Sequence, residues 1–170
     1  QQERLDFLLH LEERKQQLEK EYGKAAQELE DWCKKVHGIR KKAAAELEKL
    51  MLKELSELNF LDVRFEIQVQ ETGQPGADGW DDAEFLISTN PGEPIKPLGR
   101  IASGGELSRV MLAIKTVLAD QDAIDTVIFD EIDTGIRGRT AQKVSEKMAL
   151  IARSHQVICI THLPQIAAMA

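Results

Sequence analysis

The sequence is poor in aromatic residues. One tyrosine, two tryptophans and five phenylalanines make up 5% of its 170 residues. It also lacks an excess of positive charge. A formal net charge of -7 rules out a generally basic coat for nucleic acid, so any such contact has to be a local patch. Cysteine is scarce as well. Cys33 and Cys159 stand far apart with no metal-ligand spacing and read as reduced thiols of a cytoplasmic protein. No apolar run approaches the roughly 18–20 residues of a membrane span, and no signal peptide opens the chain; no membrane partner is expected. A G-x-x-x-x-G-K-[ST] loop is missing too. The only Gly-Lys pair, Gly23-Lys24, is followed by Ala25, so the backbone cradle and lysine that hold nucleotide phosphates are absent. The chain begins inside a helical pattern and stops at Met169-Ala170 without a terminating signal, which suggests a piece of a longer protein.

What is present begins with heptads. With position a at Leu8, Lys15, Tyr22, Leu29, Val36, Ala43 and Leu50, position d falls on Leu11, Leu18, Ala25, Trp32, Ile39 and Glu46. Eleven of these thirteen are apolar or alanine, and the remaining positions are mostly Glu, Lys, Gln and Arg. Such a seam predicts a coiled-coil helix over residues 1–58. Gly23 and Gly38 weaken it by about 1 kcal/mol each relative to alanine. Glu46 marks the end of the regular seam, and Leu47, Leu50, Met51, Leu55 and Leu58 then widen the apolar face, as in a helix entering a globular head. A heptad helix cannot bury its seam alone, so its partner must come from elsewhere. Trp32 and Tyr22 are expected to pack on that seam.

Composition changes at Asn59, and residues 59–170 read as a second domain. Residues 63–69 alternate Val63, Phe65, Ile67 and Val69 with polar residues, a half-buried strand. Residues 71–82 read as turn material and 84–89 as a second strand, which together predict a short β-hairpin. Residues 90–99, with three prolines and two glycines, make an ordered loop or a linker. A helix follows from Glu106 to about Ala119. Then come a continuous apolar run at 126–130, a helix at 138–153 with Val144, Met148 and Ile151 on one face, and a second apolar run at 156–160. Unbroken apolar runs predict buried parallel strands, and the α-β-α-β order predicts an α/β fold, a parallel sheet with helices packed on it.

Three short stretches carry chemistry. In IASGGELSR, Ser103 and Glu106 form the S-x-x-E capping box of a helix N-terminus. Gly104 and Gly105 between them leave backbone N–H groups open, where the helix dipole favours an anion such as phosphate; a glycine-rich turn with a good cap has the same sequence. In TVIFDEIDTG, Asp130 and Glu131 follow directly on a strand. At the carboxyl edge of a parallel sheet, one acid can hold Mg²⁺ through water and the other can deprotonate an attacking water. A solvated acidic turn is the alternative. Third, Thr161-His162 follows the strand at 156–160. If the two strands are neighbours, the imidazole shares the edge with the two acids and can bond a phosphate oxygen or the water. Ser103 and Asp130 are 27 residues apart and Glu131 and His162 are 31 apart, each the length of one helix with its loops.

These motifs resemble those of ABC-type ATPases. SGGELSR is similar to the signature, VIFDE to Walker B, DTG to the D-loop and TH to the switch histidine. A long heptad helix before the signature resembles the SMC and Rad50 branch. TNPGEPIKPLGRIASGGELSRVMLAIK, FDEIDTGIRG and THLPQIAAMA are similar to the RecN family of bacterial DNA double-strand-break repair proteins. The resemblance is dense from Phe85 to Ala170; the helical arm agrees in character only. It implies the C-terminal lobe of an ATPase head behind a returning coiled-coil arm, with ATP and Mg²⁺ as cofactors. It further implies that Ser103, Gly104 and Gly105 contact the γ-phosphate of ATP held by the opposite subunit. Asp130 would support Mg²⁺, Glu131 would be the general base, Asp133 would act across the dimer, and His162 would contact the γ-phosphate. Expected partners are DNA, a second head, and an N-terminal lobe with an ascending helix that carry the missing phosphate loop. The expected location is the bacterial cytoplasm, at the nucleoid. This chain alone is expected not to hydrolyse ATP.

Lys34, Lys35, Arg40, Lys41 and Lys42 cluster on the arm; they read as a DNA-backbone contact weakened by salt or as a solvated helix face. Arg137 and Arg139 follow the DTG turn and could touch phosphate, a partner subunit or a structural acid. Two other functions compete with the main reading. One is a non-catalytic coiled-coil interaction module with a degenerate head, against which Glu131 argues. The other is a related SMC-like or transporter ATPase, and the heptad helix disfavours the transporter.

Overall fold

A computed structural model describes residues 2–60, 62–101, 103–118 and 124–169, with side chains at Arg4 and from His10 onward. The Leu8 side chain, expected at the start of the seam, and Ala119, expected at a helix end, lie outside the described residues. Helix α1 is Gln2–Glu57. Strands β1 (Arg64–Gly76), β2 (Gly79–Ser88) and β3 (Lys96–Pro97) make one sheet in that order. A 3₁₀ turn at Leu98–Arg100 leads to α2 (Gly104–Leu118). Then follow β4 (Thr126–Phe129), α3 (Arg139–Ile151), β5 (Gln156–Cys159) and the short α4 (Pro164–Ala167). Among the described residues no helix is long and apolar enough to cross a membrane.

The chain forms two compact units, residues 1–42 with 69–82 and residues 43–68 with 83–170. In the first, the expected seam is bare: Leu11, Leu18, Tyr22, Leu29, Trp32 and Ile39 are all exposed, Trp32 by 63%. Trp32 and Tyr22 therefore do not pack within the chain, and Lys35 lies 4.5 Å over the Trp32 ring. A different face of α1 is covered, the one carrying the buried Cys33 and the half-buried His37 and Arg40. The tip of the β1–β2 hairpin docks there. Asp81, with a side chain 1% exposed, takes His37 Nδ1 at 2.5 Å and Arg40 Nη1 at 3.0 Å, and Arg40 Nη2 donates to the Asp78 carbonyl at 2.7 Å.

Two expectations change here. The stretch 71–82 is mostly strand, because the hairpin turns only at Ala77 and Asp78, closed by Gly79 at φ +95°. The polar composition of 71–78 reflects exposure, not irregularity. Arg40 leaves the basic cluster, since the Asp81 carboxylate holds it, while Lys34 bonds Glu30 at 2.5 Å.

The second unit has the core. Met51 and Leu55 from α1 and Leu58 just after it pack with Phe60, Phe65, Ile87, Val110, Leu112, Phe129, Val144 and Ile151. Asn59 ends the helix in the left-handed region at φ 70°, with the Phe60 N–H donating to the Leu55 carbonyl, a C-terminal cap that Asn tolerates. Lys147 on α3 is buried and pairs with Glu54 and Glu57 of α1. Burial opposes its charge, but the two carboxylates outweigh burial and raise its pKa. The Glu48 carboxylate accepts the Ile67 N–H at 2.7 Å and so covers part of β1. Of residues 90–99, 90–95 form an ordered loop, with Ser88 Oγ donating to the Asn90 and Glu93 carbonyls and Arg64 donating to Glu93, whereas Lys96 and Pro97 pair with β2 as β3 and Leu98 opens the 3₁₀ turn.

β4 and β5 pair in parallel, Phe129 opposite Cys159, as the α-β-α-β order predicts. Val144, Met148 and Ile151 of α3 are buried, as their spacing predicts. The strands are not buried on both faces, however. Val127 and Phe129 face the core, while Ile128 and Ile158 are 64% and 44% exposed and Ile160 is 60% exposed. The unbroken apolar runs thus have one covered face and one open face in this chain.

Candidate functional site

The site is built on the carboxyl edge of β4 and β5. Parallel pairing puts the residues after each strand side by side, and the Ile160 N–H donates to the Phe129 carbonyl at 3.0 Å, extending the pairing into the loops. Asp130 and Glu131 leave β4 at this edge, and Thr161 and His162 leave β5 there. The neighbouring strands required for that convergence are therefore in place.

α2 brings the glycines to the same edge. Ser103 Oγ accepts the Glu106 N–H at 3.4 Å and the Ser103 carbonyl accepts the Leu107 N–H at 3.0 Å, so Ser103 caps the helix. The reciprocal half of the capping box is not made, because the Glu106 carboxylate accepts from Thr89 Oγ1 at 3.1 Å instead. The space beside the glycines is filled by the chain itself. A β-carbon on Gly104 would collide with Glu131 Oε2. One on Gly105 would lie 2.8 Å from Thr134 Cβ and 2.9 Å from the Glu131 carbonyl oxygen. The Glu131 carboxylate thus stands against this helix N-terminus, where the helix dipole favours an anion.

The turn after β4 is tightly specified. Glu131 has φ +55°, a left-handed conformation that costs a non-glycine residue on the order of 1–3 kcal/mol and collects at functional sites. Its N–H donates to Asp130 Oδ1 at 2.8 Å, and its carbonyl accepts the Thr134 N–H at 3.0 Å. Ser108 Oγ donates to the Asp130 carbonyl at 2.6 Å, and Arg109 Nη1 donates to the Thr134 carbonyl at 2.9 Å. Both donors come from α2, so this helix and the acidic turn are one assembly. The two acidic residues themselves remain exposed.

Asp133 joins the turn to the β5 loop. It is 3% exposed, and its Oδ2 accepts from Thr161 Oγ1 at 2.5 Å and from the His162 N–H at 2.8 Å. His162 Nδ1 lies 3.1 Å from the same oxygen, on a side chain that is 74% exposed. With Nδ1 held by the carboxylate, Nε2 is the nitrogen left for a ligand, and this second contact orients the ring. Burial opposes ionisation of Asp133, but the Thr161 hydroxyl, the His162 amide and the His162 ring outweigh it and hold its pKa below the usual carboxylate value. A depressed carboxylate stabilises the fold above its unfolded value of about 4, and that contribution is lost as pH falls through the folded value. Urea unfolding at a series of pH values should therefore lose stability less steeply below about pH 4 in Asp133→Asn than in the parent. Equal slopes would remove Asp133 from this linkage. Cys159 nearby stays a thiol, since burial and the charges of Asp133 and Asp130 push its pKa up.

The donor set suits a hard cation held lightly. Asp130 presents a carboxylate at the edge, and among the described residues no three His, Cys, Asp or Glu side chains cluster as a metal cage. Mg²⁺ typically uses one or two carboxylates plus waters and phosphates, so these residues fit it as a nucleotide's companion ion. Arg137 and Arg139 are exposed, with no ion pair among the described residues. Thr161 and Thr134 lie in the motifs singled out from the sequence, but neither they nor Ser108 and Arg109 were given a role there. The Arg109 signal was available: it lies four residues from Gly105 and three or four from Leu112 and Ala113, on the buried face of α2.

No family model matches the chain. It is 44% identical to a DNA repair protein RecN of Halalkalibacterium halodurans, over 99% of this chain and 31% of the relative. It is 40% identical to one of Bacillus subtilis, over 99% of this chain and 32% of the relative. The chain thus spans about a third of the length of these curated relatives. Among solved structures it resembles the Smc head domain with an extended coiled coil from Pyrococcus furiosus, with a TM-score of 0.54 and 19% identity over 78% of this chain and 31% of that one. That likeness is one of fold alone, the α/β lobe of an Smc head domain. The similarity along nearly its whole length places the chain in the RecN family.

Proposed function

We propose that this chain supplies one half of a composite ATP site in a RecN-type ATPase of DNA double-strand-break repair. The observation that carries the reading is the strained Glu131 at the end of β4, on the edge shared by Asp130, His162 and the glycines of α2. Two acids, an imidazole and a helix N-terminus meet there, as phosphoryl transfer to water requires. When bound, Mg²⁺ would neutralise phosphate charge, with Asp130 holding it through water. Glu131 would take the proton of the attacking water. His162, oriented by Asp133, would bond a γ-phosphate oxygen through Nε2. Ser103, Gly104 and Gly105 would contact the γ-phosphate of a nucleotide bound on another subunit, once Glu131 leaves the helix end. Asp133 would act across the dimer through the DTG turn that it fixes.

The remaining parts follow from what the chain lacks. It has no phosphate loop, so an N-terminal lobe of the same protein would supply one and cover the open face of Ile128, Ile158 and Ile160. An ascending helix would cover the bare seam of α1. Residues 1–58 would be the returning arm and 59–170 the head lobe, with two heads closing on ATP and opening on hydrolysis. DNA would bind the complete protein at the nucleoid, and Lys35, Lys41 and Lys42 of the arm would be its local basic contacts.

The test is reconstitution. The purified 170-residue chain should show no ATP turnover above background. Co-expressed with a polypeptide carrying a phosphate loop and the ascending helix, it should hydrolyse ATP, and Ser103→Arg should abolish that activity by obstructing the interface. Turnover by the chain alone that is lost in Glu131→Gln would overturn the split-site reading.

A further inference from the structure

Arg109 stands apart among the buried charges. It is 8% exposed, and no carboxylate lies within ion-pair distance of it among the described residues, whereas Lys147 has two and Asp133 has His162. Its Nε is buried without a hydrogen-bond partner. Glu106, one helical turn earlier, turns its carboxylate to Thr89. Removing a guanidinium from water without an ion pair is unfavourable, and a leucine or methionine would fill the space more cheaply. Fold stability is therefore a poor reason for an arginine here. What the side chain does make is directional. Its Cζ lies over the Phe60 ring, 5.3 Å from the centroid, and Nη1 donates to the Thr134 carbonyl at 2.9 Å. The Thr134 N–H in turn donates to the Glu131 carbonyl.

We infer that Arg109 is a positioning residue that clamps the 131–134 turn, and with it Glu131, to α2, its guanidinium held over the Phe60 ring. The guanidinium reaches the reacting groups only through that turn and does not touch nucleotide. Glu131 holds a left-handed backbone conformation, which persists only where its surroundings over-determine it. The hydrogen bonds from Arg109 and Ser108 are the ones that α2 supplies to the turn. A fork-shaped donor held over an aromatic ring serves this geometry, and lysine does not reproduce it. The inference rests on the reading of Glu131 as the base.

The experiment compares Arg109→Met, Arg109→Lys and Glu131→Gln in a full-length protein carrying this sequence. Arg109→Met should lower kcat for ATP hydrolysis about tenfold or more, because misplacing a catalytic group by an ångström can cost about a hundredfold. KM for ATP should stay within about twofold, since the phosphate cradle is elsewhere. Arg109→Lys should recover part of kcat. Hydrogen exchange at the Thr134 and Ile136 amides should quicken in both Arg109 variants while α3 keeps its protection. Unchanged kcat in Arg109→Met beside an inactive Glu131→Gln overturns this inference alone. Unchanged hydrolysis in Glu131→Gln overturns the reading it rests on. Should Arg109→Met fail to fold, Arg109→Lys decides, and parent-like exchange at Thr134 in that variant overturns the clamp.

Discussion

Glu131→Gln in the full-length protein is expected to lower ATP turnover by about 10²–10⁴-fold, the usual contribution of a positioned general base, while leaving ATP binding intact. Glutamine preserves the size of the side chain and its place over Gly104, and the backbone bonds of the turn do not involve the carboxylate. What it loses is the ability to accept a proton. If hydrolysis is what reopens two closed heads, the variant should accumulate as an ATP-bound dimer, visible as a shift in sedimentation or light scattering that ADP does not produce. Asp130→Asn should act differently. Asp130 Oδ1 accepts the Glu131 N–H, so losing that carboxylate weakens both the metal contact and the strained turn. Parent-like turnover in Glu131→Gln would remove this residue from the base role.

The second large effect separates the adjacent glycines. Gly105→Ala is expected to destabilise the chain, and Gly104→Ala is not. At Gly105 the new methyl group meets Thr134 Cβ at 2.8 Å and the Glu131 backbone oxygen at 2.9 Å. Backbone held by hydrogen bonds cannot easily withdraw, and overpacking of this kind costs about 1–3 kcal/mol. Alanine's better helix propensity returns at most about 1 kcal/mol. For a chain of this size each kcal/mol moves Tm by roughly 2–4 °C, so a fall of several degrees is expected. At Gly104 the colliding atom is the tip of the Glu131 side chain, which can swing away. Tm should hold there, and the full-length protein should show altered turnover because the carboxylate has moved. Equal Tm changes in the two variants would mean that the turn does not pack on α2 as described.

Legibility differed by kind of information. Heptads, alternation and apolar runs are periodic, and period is what backbone geometry writes into a sequence, so α1, α2, α3, β4 and β5 were readable from residue order. The hairpin was readable where one face is covered, at Phe65 and Ile67, and unreadable at 71–78, where both faces are solvated and strand residues need not alternate. Asp81 was equally hidden. Nothing local to GWDDAE marks one of its acids as buried; only His37 and Arg40, more than forty residues earlier, do so. The convergence of Asp130, Glu131 and His162 could be argued from spacing because parallel strands fix which loops share an edge. The partners of Asp133 could not, since they depend on how the two loops lean together.

By itself the sequence determined the α/β order, the heptad arm, the missing phosphate loop and the residue types of a phosphate-handling edge. Each of these is carried by composition or by short-range repetition. Only the tertiary structure decided what stands against Gly104 and Gly105, which partner Asp133 holds, and why α2 buries an arginine. Those are contacts between segments about 25 to 50 residues apart, set by where helices and strand ends meet in space. It also decided which apolar faces stay bare, along α1 and on β4–β5. Burial depends on what the fold brings opposite a side chain, and the residues alone state only that something should cover it.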